Sequence, residues 1–142
     1  MIALASDHGG YDLKCQIIAY LEKKGIGYKD FGCYGKESCD YPDFARPTAE
    51  AVAAGVCEMG VVICTTGIGI SIVANKVRGV RCALCADELS AKLTREHNNA
   101  NMLALGAGIV GPNLALSILD TFLKTPFSEE ERHARRVEKI EA

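Results

Sequence analysis

Short apolar runs alternate with segments of helical periodicity along the whole chain, and this alternation most constrains the fold. Apolar runs over residues 2–5, 60–64, 81–85 and 102–105 predict four strands, and residues 28–31, where two charged residues interrupt the pattern, predict a further, weaker one. Helices are predicted over 11–24, from just after Pro42 to Ala54, and over 68–76, 87–97, 111–123 and about 128–140. Alternating strands and helices favour a mostly parallel sheet covered on both faces. The sequence therefore predicts an α/β fold, a three-layer α/β/α sandwich with a five-stranded, mostly parallel, Rossmann-like sheet.

Chain length and local signals refine this picture. The 142 residues suit one domain spanning 1–142. Ser128 to Glu131 has the pattern of a capping box that opens the last helix. Pro47 is expected in or near the first turn of its helix, because deeper inside it would remove a helical hydrogen bond.

Charge and cysteine usage exclude several classes of protein. A net charge of -2 argues against a nucleic-acid partner. Neither a run of about 18 apolar residues nor a basic, apolar leader is present, so no membrane partner or secretion is expected. The seven cysteines are odd in number and scattered, which fits a reducing compartment. We therefore expect a cytoplasmic protein.

Cys82 and Cys85 have the spacing of a redox or zinc pair, but they lie within an apolar run that predicts a buried strand. A zinc site needs a second pair of ligands, and Cys33 with Cys39 is poorly spaced for that role. Core cysteines are therefore the favoured interpretation. A thiol redox or zinc protein would need Cys82 and Cys85 exposed.

Cys64 ends an apolar strand and is followed by Thr65, Thr66 and a glycine-containing turn that opens a helix. Open α/β sheets bind ligands after the carboxyl ends of their strands, and helix N-terminal amides favour negative charge. A thiol beside such amides ionises more readily than a free thiol. Cys64 is thus a candidate base, nucleophile or metal ligand.

Other polar residues follow the predicted strands or end the helices. Asp7 and His8 follow the first strand, where Asp7 either caps a turn or takes part in a site at the same sheet edge. His97 and Asn98 end a helix, where they either complement its dipole or bind sugar hydroxyls and move a proton.

Arg132 and Arg136 are four residues apart, so both lie on one helix face. They could grip one phosphate as a fork, or remain solvated beside Glu129 and Glu131. His133 and Arg135 are expected to project differently.

Taken together, several segments resemble the type B ribose-5-phosphate isomerases over nearly the whole chain. The segments are Asp7-His8-Gly9-Gly10-Tyr11, Asp40-Tyr41-Pro42, residues 64–71 (CTTGIGIS), Ala74-Asn75-Lys76, Arg95-Glu96-His97-Asn98 and residues 132–136 (RHARR). That family also contains isomerases for allose 6-phosphate, galactose 6-phosphate and tetrose phosphates. The resemblance implies an aldose-ketose isomerase that acts on a sugar phosphate, without a metal or organic cofactor.

The resemblance also implies roles for individual residues. Cys64 would carry a proton between C2 and C1 through a cis-enediolate, and Thr66 would steady the reacting oxygens. His97, helped by Asp7, would open the furanose ring. The enediolate oxygen would be stabilised by the backbone amides of Thr65, Thr66, Gly67, Ile68 and Gly69. Some members carry a glutamate base at the position of Ile70, so Cys64 is the available base here.

Phosphate binding would fall to His8, Arg132 and Arg136, and Asn98 and Tyr41 would line the sugar. The resemblance implies a homodimer with shared active sites, which could pair into a tetramer.

Two positions depart from the family pattern. Thr65 stands where glycine is usual, and Gly108 stands where an arginine commonly helps to bind phosphate. The first substrate pair to test is ribose 5-phosphate and ribulose 5-phosphate. Allose 6-phosphate, galactose 6-phosphate, a tetrose phosphate and a free aldose are alternatives. A non-catalytic phosphate-binding module is disfavoured, because no glycine-rich nucleotide or lysine-bearing phosphate motif is present.

Overall fold

A five-stranded, all-parallel sheet forms the centre of the structure, a computed structural model that describes all residues from Met1 to Ala142. The strands are β1 (Ile2–Ser6), β2 (Tyr28–Asp30), β3 (Met59–Cys64), β4 (Cys82–Leu84) and β5 (Met102–Gly106). The helices are α1 (Tyr11–Lys23), α2 (Tyr41–Ala53), α3 (Ile68–Asn75), α4 (Glu88–Asn98), α5 (Pro112–Lys124) and α6 (Glu131–Glu141). The predicted α/β class is confirmed.

The strand order β2-β1-β3-β5-β4 creates one switch point in the sheet. The chain leaves β1 towards β2 on one side, whereas it leaves β3 towards β4 on the other. Neighbouring strands whose connections diverge in this way open a crevice at their carboxyl ends. The ends of β1 and β3, where Asp7 and Cys64 lie, flank that crevice.

Alternating side chains of the strands fill two separate cores. On one face, Leu4, Ile63 and Leu105 belong to a cluster completed by α1, α4 and α5. On the other face, Ala5 and Ala104 belong to a cluster completed by α2 and α3. Small strand side chains on this second face let the two helices pack close to the sheet. Both faces of the sheet are therefore covered.

Strand β4 corrects one expectation about burial. The apolar run predicted a buried strand, but β4 pairs only with β5 and forms an edge. Leu84 is 43% exposed and Cys82 is half-buried, whereas Cys85 is buried. Hydropathy alone could not reveal that no strand covers the outer side of β4.

Two expectations about helix starts are wrong. Helix α2 begins at Tyr41, so Pro47 lies in its interior rather than near its first turn. Helix α6 begins at Glu131, after Glu129 adopts a φ of 60°, so Ser128 does not open it with a capping box. Instead the Ser128 hydroxyl lies 2.6 Å from Nδ1 of His133. No helix in the chain combines the length and apolar character needed to span a membrane.

Candidate active site

The turn after β3 places backbone N–H groups around the thiol of Cys64. Cys64 is 5% exposed, and its Sγ accepts a hydrogen bond from the Gly67 N–H at 3.1 Å. Gly67 has a φ of 77°, and a β-carbon there would lie 2.5 Å from Leu84 Cδ1. Only glycine suits this turn without strain. The N–H donor stabilises negative charge on the sulfur.

The amides of this turn divide into two groups. The Gly67 N–H binds the Cys64 sulfur, and the Ile68 N–H donates to Thr66 Oγ1 at 3.2 Å. The N–H groups of Thr65, Thr66 and Gly69 have no acceptor within the chain. The expected cluster of five amides is therefore reduced to three that remain available to a ligand.

Asp7 lies beside this turn because the pairing of β1 with β3 continues past Ser6. The Asp7 N–H donates to the carbonyl of Ile63 at 3.2 Å. Asp7 Oδ1 accepts from the Gly10 N–H at 3.1 Å, so the capped turn is present. Its second carboxylate oxygen has no partner in the chain and remains available to a ligand.

His8 is held in place by the loop that follows β2. The Cys39 N–H donates to His8 Nδ1 at 3.2 Å. Because Nδ1 accepts this bond, the neutral ring carries its proton on Nε2. His8 therefore presents an N–H donor to a ligand.

Lys14 supports that loop and was missed by the sequence analysis. It is 1% exposed, and its ammonium group binds Asp30 at 2.7 Å and the carbonyl of Cys33. Lys14 shares a helix face with the buried Ile17 and Leu21. A lysine within such an apolar face is a signal in the sequence that its ammonium group is buried and paired.

A pocket of about 620 Å³ opens beside these residues. Its lining consists of Asp7, His8, Cys39, Asp40, Tyr41, Pro42, Asp43 and Thr65. The Tyr41 ring also covers Gly69, where a β-carbon would lie 2.7 Å from Tyr41 Cζ. We call Asp7, His8, Tyr41 and residues 64–69 the carboxyl-edge half-site, because they lie at the carboxyl ends of the parallel strands.

A second pocket, of about 360 Å³, contains the remaining candidates. Its lining consists of His97, Asn98, Arg132, His133, Arg136, Val137 and Ile140. The placement of Arg132 and Arg136 on one face is confirmed. We call His97, Asn98, Arg132, His133 and Arg136 the amino-edge half-site.

The two half-sites lie at opposite ends of the strands of the sheet. Helix α4 runs back from the end of β4, so His97 and Asn98 lie near the start of β5, whereas Cys64 pairs with Gly106 at its end. A five-residue strand such as β5 separates these edges by about 13 Å. Within one chain, the fold does not bring the amino-edge candidates to the thiol.

The charges of α6 are distributed unevenly. Arg132 lies 3.4 Å from the Glu130 carboxylate, and Arg135 pairs with Glu131 at 2.8 Å. Arg136 has no ion-pair partner in the chain. Arg135, which makes the shorter ion pair, thus lies outside the pocket. The pocket retains the exposed positive charges of Arg132 and Arg136.

His133 corrects the expectation that it projects away from the arginines. It is 5% exposed, and its ring centroid lies 4.4 Å from that of His97. It shares helical spacing with Val137 and Ile140, which line the same pocket. This spacing could have identified it as an inward-facing residue.

The two positions that depart from the family pattern contact each other. A β-carbon at Gly108 would lie 3.1 Å from Thr65 Cγ2 and 3.1 Å from the Thr65 carbonyl oxygen. The Thr65 hydroxyl also lies against Gly9. The threonine side chain therefore occupies space between two glycines.

The thiols of Cys82 and Cys85 are poorly suited to redox chemistry. Burial raises the pKa of Cys82 to about 12 and that of Cys85 to about 11. Thiolate is the reactive form, so a raised pKa makes these groups unreactive near neutral pH.

Comparison with known proteins gives the class of this chain. Residues 2–140 match the family described as Ribose/Galactose Isomerase. Ribose-5-phosphate isomerase B of Escherichia coli is 45% identical over 141 residues, covering 99% of this chain and 94% of that protein. D-erythrulose-4-phosphate isomerase of Pectobacterium atrosepticum is 43% identical over 140 residues, covering 98% and 91%.

A solved structure, Clostridium thermocellum ribose-5-phosphate isomerase B, is similar with a TM-score of 0.97 and 55% identity, covering 99% of this chain and 94% of that one. The chain therefore belongs to the Ribose/Galactose Isomerase family, and the resemblance found in the sequence is confirmed. The protein is an aldose-ketose isomerase.

Proposed function

We propose that the protein interconverts ribose 5-phosphate and ribulose 5-phosphate, with Cys64 as the base. One observation carries this proposal most directly: the Cys64 sulfur and the unpaired N–H groups of Thr65, Thr66 and Gly69 belong to one turn. A base and donors for a developing oxyanion are the two elements that enolisation requires.

The proton chemistry follows from this arrangement. The thiolate of Cys64 removes the C2 proton of the open-chain aldose, and the bonding electrons form a C1–C2 double bond while charge develops on O1. The turn amides stabilise that charge, and the Thr66 hydroxyl steadies the oxygens. The thiol returns the proton to C1 as the O2 proton moves to O1. One oxyanion donor in such a site is worth about 2.7 to 4 kcal/mol.

The amino-edge half-site would come from a second copy of the chain. His97, with Asp7, would open the furanose ring; Arg132 and Arg136, with His8, would bind the phosphate; Asn98 and Tyr41 would line the sugar. Exposed apolar residues support an interface near the site: Ile68 is 52% exposed, Ile72 55% and Leu89 64%. A homodimer, which could pair into a tetramer, would thus hold two complete sites.

The free thiols support a cytoplasmic location. All seven cysteines are free in the structure, which suits a reducing cytoplasm.

Another sugar remains a specific alternative because Gly108 supplies no charge to a phosphate. Allose 6-phosphate, galactose 6-phosphate and erythrose 4-phosphate are the competing esters, and a relative is named for D-erythrulose 4-phosphate. Free ribose and allose are the uncharged competitors.

Initial rates across these six sugars test the proposal, with wild type and Cys64→Ala measured side by side. We expect the highest kcat/KM with ribose 5-phosphate and a large loss in the variant. A higher kcat/KM with another ester would overturn the substrate assignment. Full activity of Cys64→Ala would overturn the base, and preference for a free sugar would overturn the phosphate roles.

A further inference from the structure

The amino-edge half-site contains a pair of stacked imidazoles whose two members differ in environment. His97 is exposed, whereas His133 is 5% exposed, and their rings are tilted by 35° at a centroid distance of 4.4 Å. The ring of His133 therefore forms a buried support beneath the imidazole of His97.

The ring of His133 is fixed through one of its nitrogens. Its Nδ1 lies 2.6 Å from the hydroxyl of Ser128 and 3.2 Å from the carboxylate of Glu130. The Ser128 hydroxyl also accepts from the Glu130 N–H at 3.3 Å. The Ser128 hydroxyl is within hydrogen-bond distance of Nδ1, so rotation of the ring would break that contact.

The segment that carries Ser128 is itself attached to α4. The Ser128 N–H donates to the Glu96 carbonyl at 3.2 Å, next to His97 in the chain. The buried guanidinium of Arg95 donates to the Thr125 carbonyl at 3.0 Å and to the Ala100 carbonyl at 2.7 Å. These hydrogen bonds therefore hold His133 and His97 in a fixed position relative to each other.

The charges around His133 favour its neutral form. Burial lowers its pKa, and the neighbouring His97, Arg132 and Arg136 lower it further, whereas Glu130 opposes them. A neutral ring can stack on His97 without repelling a proton that His97 carries.

We propose that His133 is a positioning residue, whose clamped ring holds the His97 imidazole in the orientation that furanose ring opening requires. This role rests on the proposed function. His133 does not itself transfer a proton; it limits the rotation of the group that does. Displacement of a catalytic group by about 1 Å can cost about a hundredfold in rate.

The test separates ring opening from enolisation. Ribose 5-phosphate is mostly cyclic and must be opened, whereas ribulose 5-phosphate has its O5 esterified and cannot form a furanose. Conversion of ribose 5-phosphate reports both steps. Deuterium incorporation at C1 of ribulose 5-phosphate in D2O, followed by NMR, reports enolisation alone.

Four variants are compared with wild type in both assays: His133→Ala, His133→Phe, Ser128→Ala and the control Arg135→Ala. Arg135 lies on the same helix but pairs with Glu131 outside the pocket. We expect His133→Ala to lower ribose 5-phosphate conversion about ten- to a hundredfold, with deuterium incorporation within about twofold of wild type. His133→Phe, which keeps a ring, should retain more conversion, and Ser128→Ala should lose less than His133→Ala.

Equal losses in the two assays would show a general structural role and overturn the proposal. So would conversion by His133→Ala that matches Arg135→Ala. Should the alanine variant not fold, the Phe and Ser128 variants decide the same question by the ratio of the two rates. A wild-type protein that converts no sugar phosphate would refute the proposed function instead, which is a different result.

Discussion

The two half-sites present different kinds of chemical group to a ligand. The carboxyl-edge half-site relies on backbone groups, since Gly67 donates to the Cys64 sulfur and Thr65 and Thr66 offer unpaired N–H groups. The amino-edge half-site relies on side chains, with Arg132, Arg136 and His97 exposed on helices. Backbone donors at a strand end are fixed before any ligand arrives, whereas exposed arginines lose conformational freedom when they bind. The first arrangement suits charge that develops during reaction, and the second suits a charge already present on the substrate.

The largest effect is expected from the thiol. Cys64→Ala removes the proposed base, and general-base catalysis typically contributes about 10²- to 10⁴-fold, so kcat should fall by that factor. Steady-state kinetics with ribose 5-phosphate measures it. Cys15→Ala, which alters an exposed thiol on α1, is the matched control and should keep wild-type activity.

The proposed division of the site between two copies predicts complementation. Cys64→Ala and His97→Asn should each be nearly inactive, but their co-refolded mixture should regain about a quarter of wild-type activity. Half of the dimers are then mixed, and each mixed dimer has one intact site of two.

The matched control for that mixture combines Cys64→Ala with Asp7→Asn. Both changes affect the carboxyl-edge half-site, so no mixed dimer contains an intact site. Activity restored in the control mixture, or no activity restored in the first mixture, would contradict a site shared between two copies.

Loss of one arginine should have a smaller effect that depends on the phosphate. A hydrogen bond to a charged group is worth about 1.5 to 3 kcal/mol, so Arg136→Ala should lower kcat/KM for ribose 5-phosphate about ten- to a hundredfold. Most of the loss should appear in KM. Arg135→Ala should change little. An equal loss with free ribose would show that Arg136 does not act through the phosphate.

The smallest effect concerns the contact between Thr65 and Gly108. Gly108→Arg should gain little or lose activity, because its β-carbon would crowd Thr65 at 3.1 Å. With Thr65→Gly in the same chain, the new arginine should lower KM for ribose 5-phosphate. A double-mutant cycle on kcat/KM should show a coupling of about 0.5 to 3 kcal/mol. Strict additivity would mean that the two positions act independently.

The placement of many candidate residues could be predicted because they follow local rules. The Cys64 turn and the Asp7 turn each follow an apolar strand, and parallel strands end at one sheet edge. The spacing of Arg132 and Arg136 likewise fixed their common face. These inferences need only periodicity and the geometry of neighbouring residues.

Other features depend on distant parts of the chain. Pro47 lies within α2 at a position that local preference disfavours, and packing of α2 in the second core overrides that preference. The edge position of β4 depends on strand order. His133 meets His97 only because the segment before α6 is anchored to α4.

Local patterns in the sequence were sufficient to predict the α/β class, the order of the elements and the chemical groups available, because alternating hydrophobicity and turn residues act over a few positions. Three features depend on the folded chain: Cys64 and His97 lie at opposite ends of the strands, Thr65 fills the space beside Gly108, and the ring of His133 packs against that of His97. Such contacts join residues far apart in sequence, and they arise from strand order and helix packing rather than from any local preference.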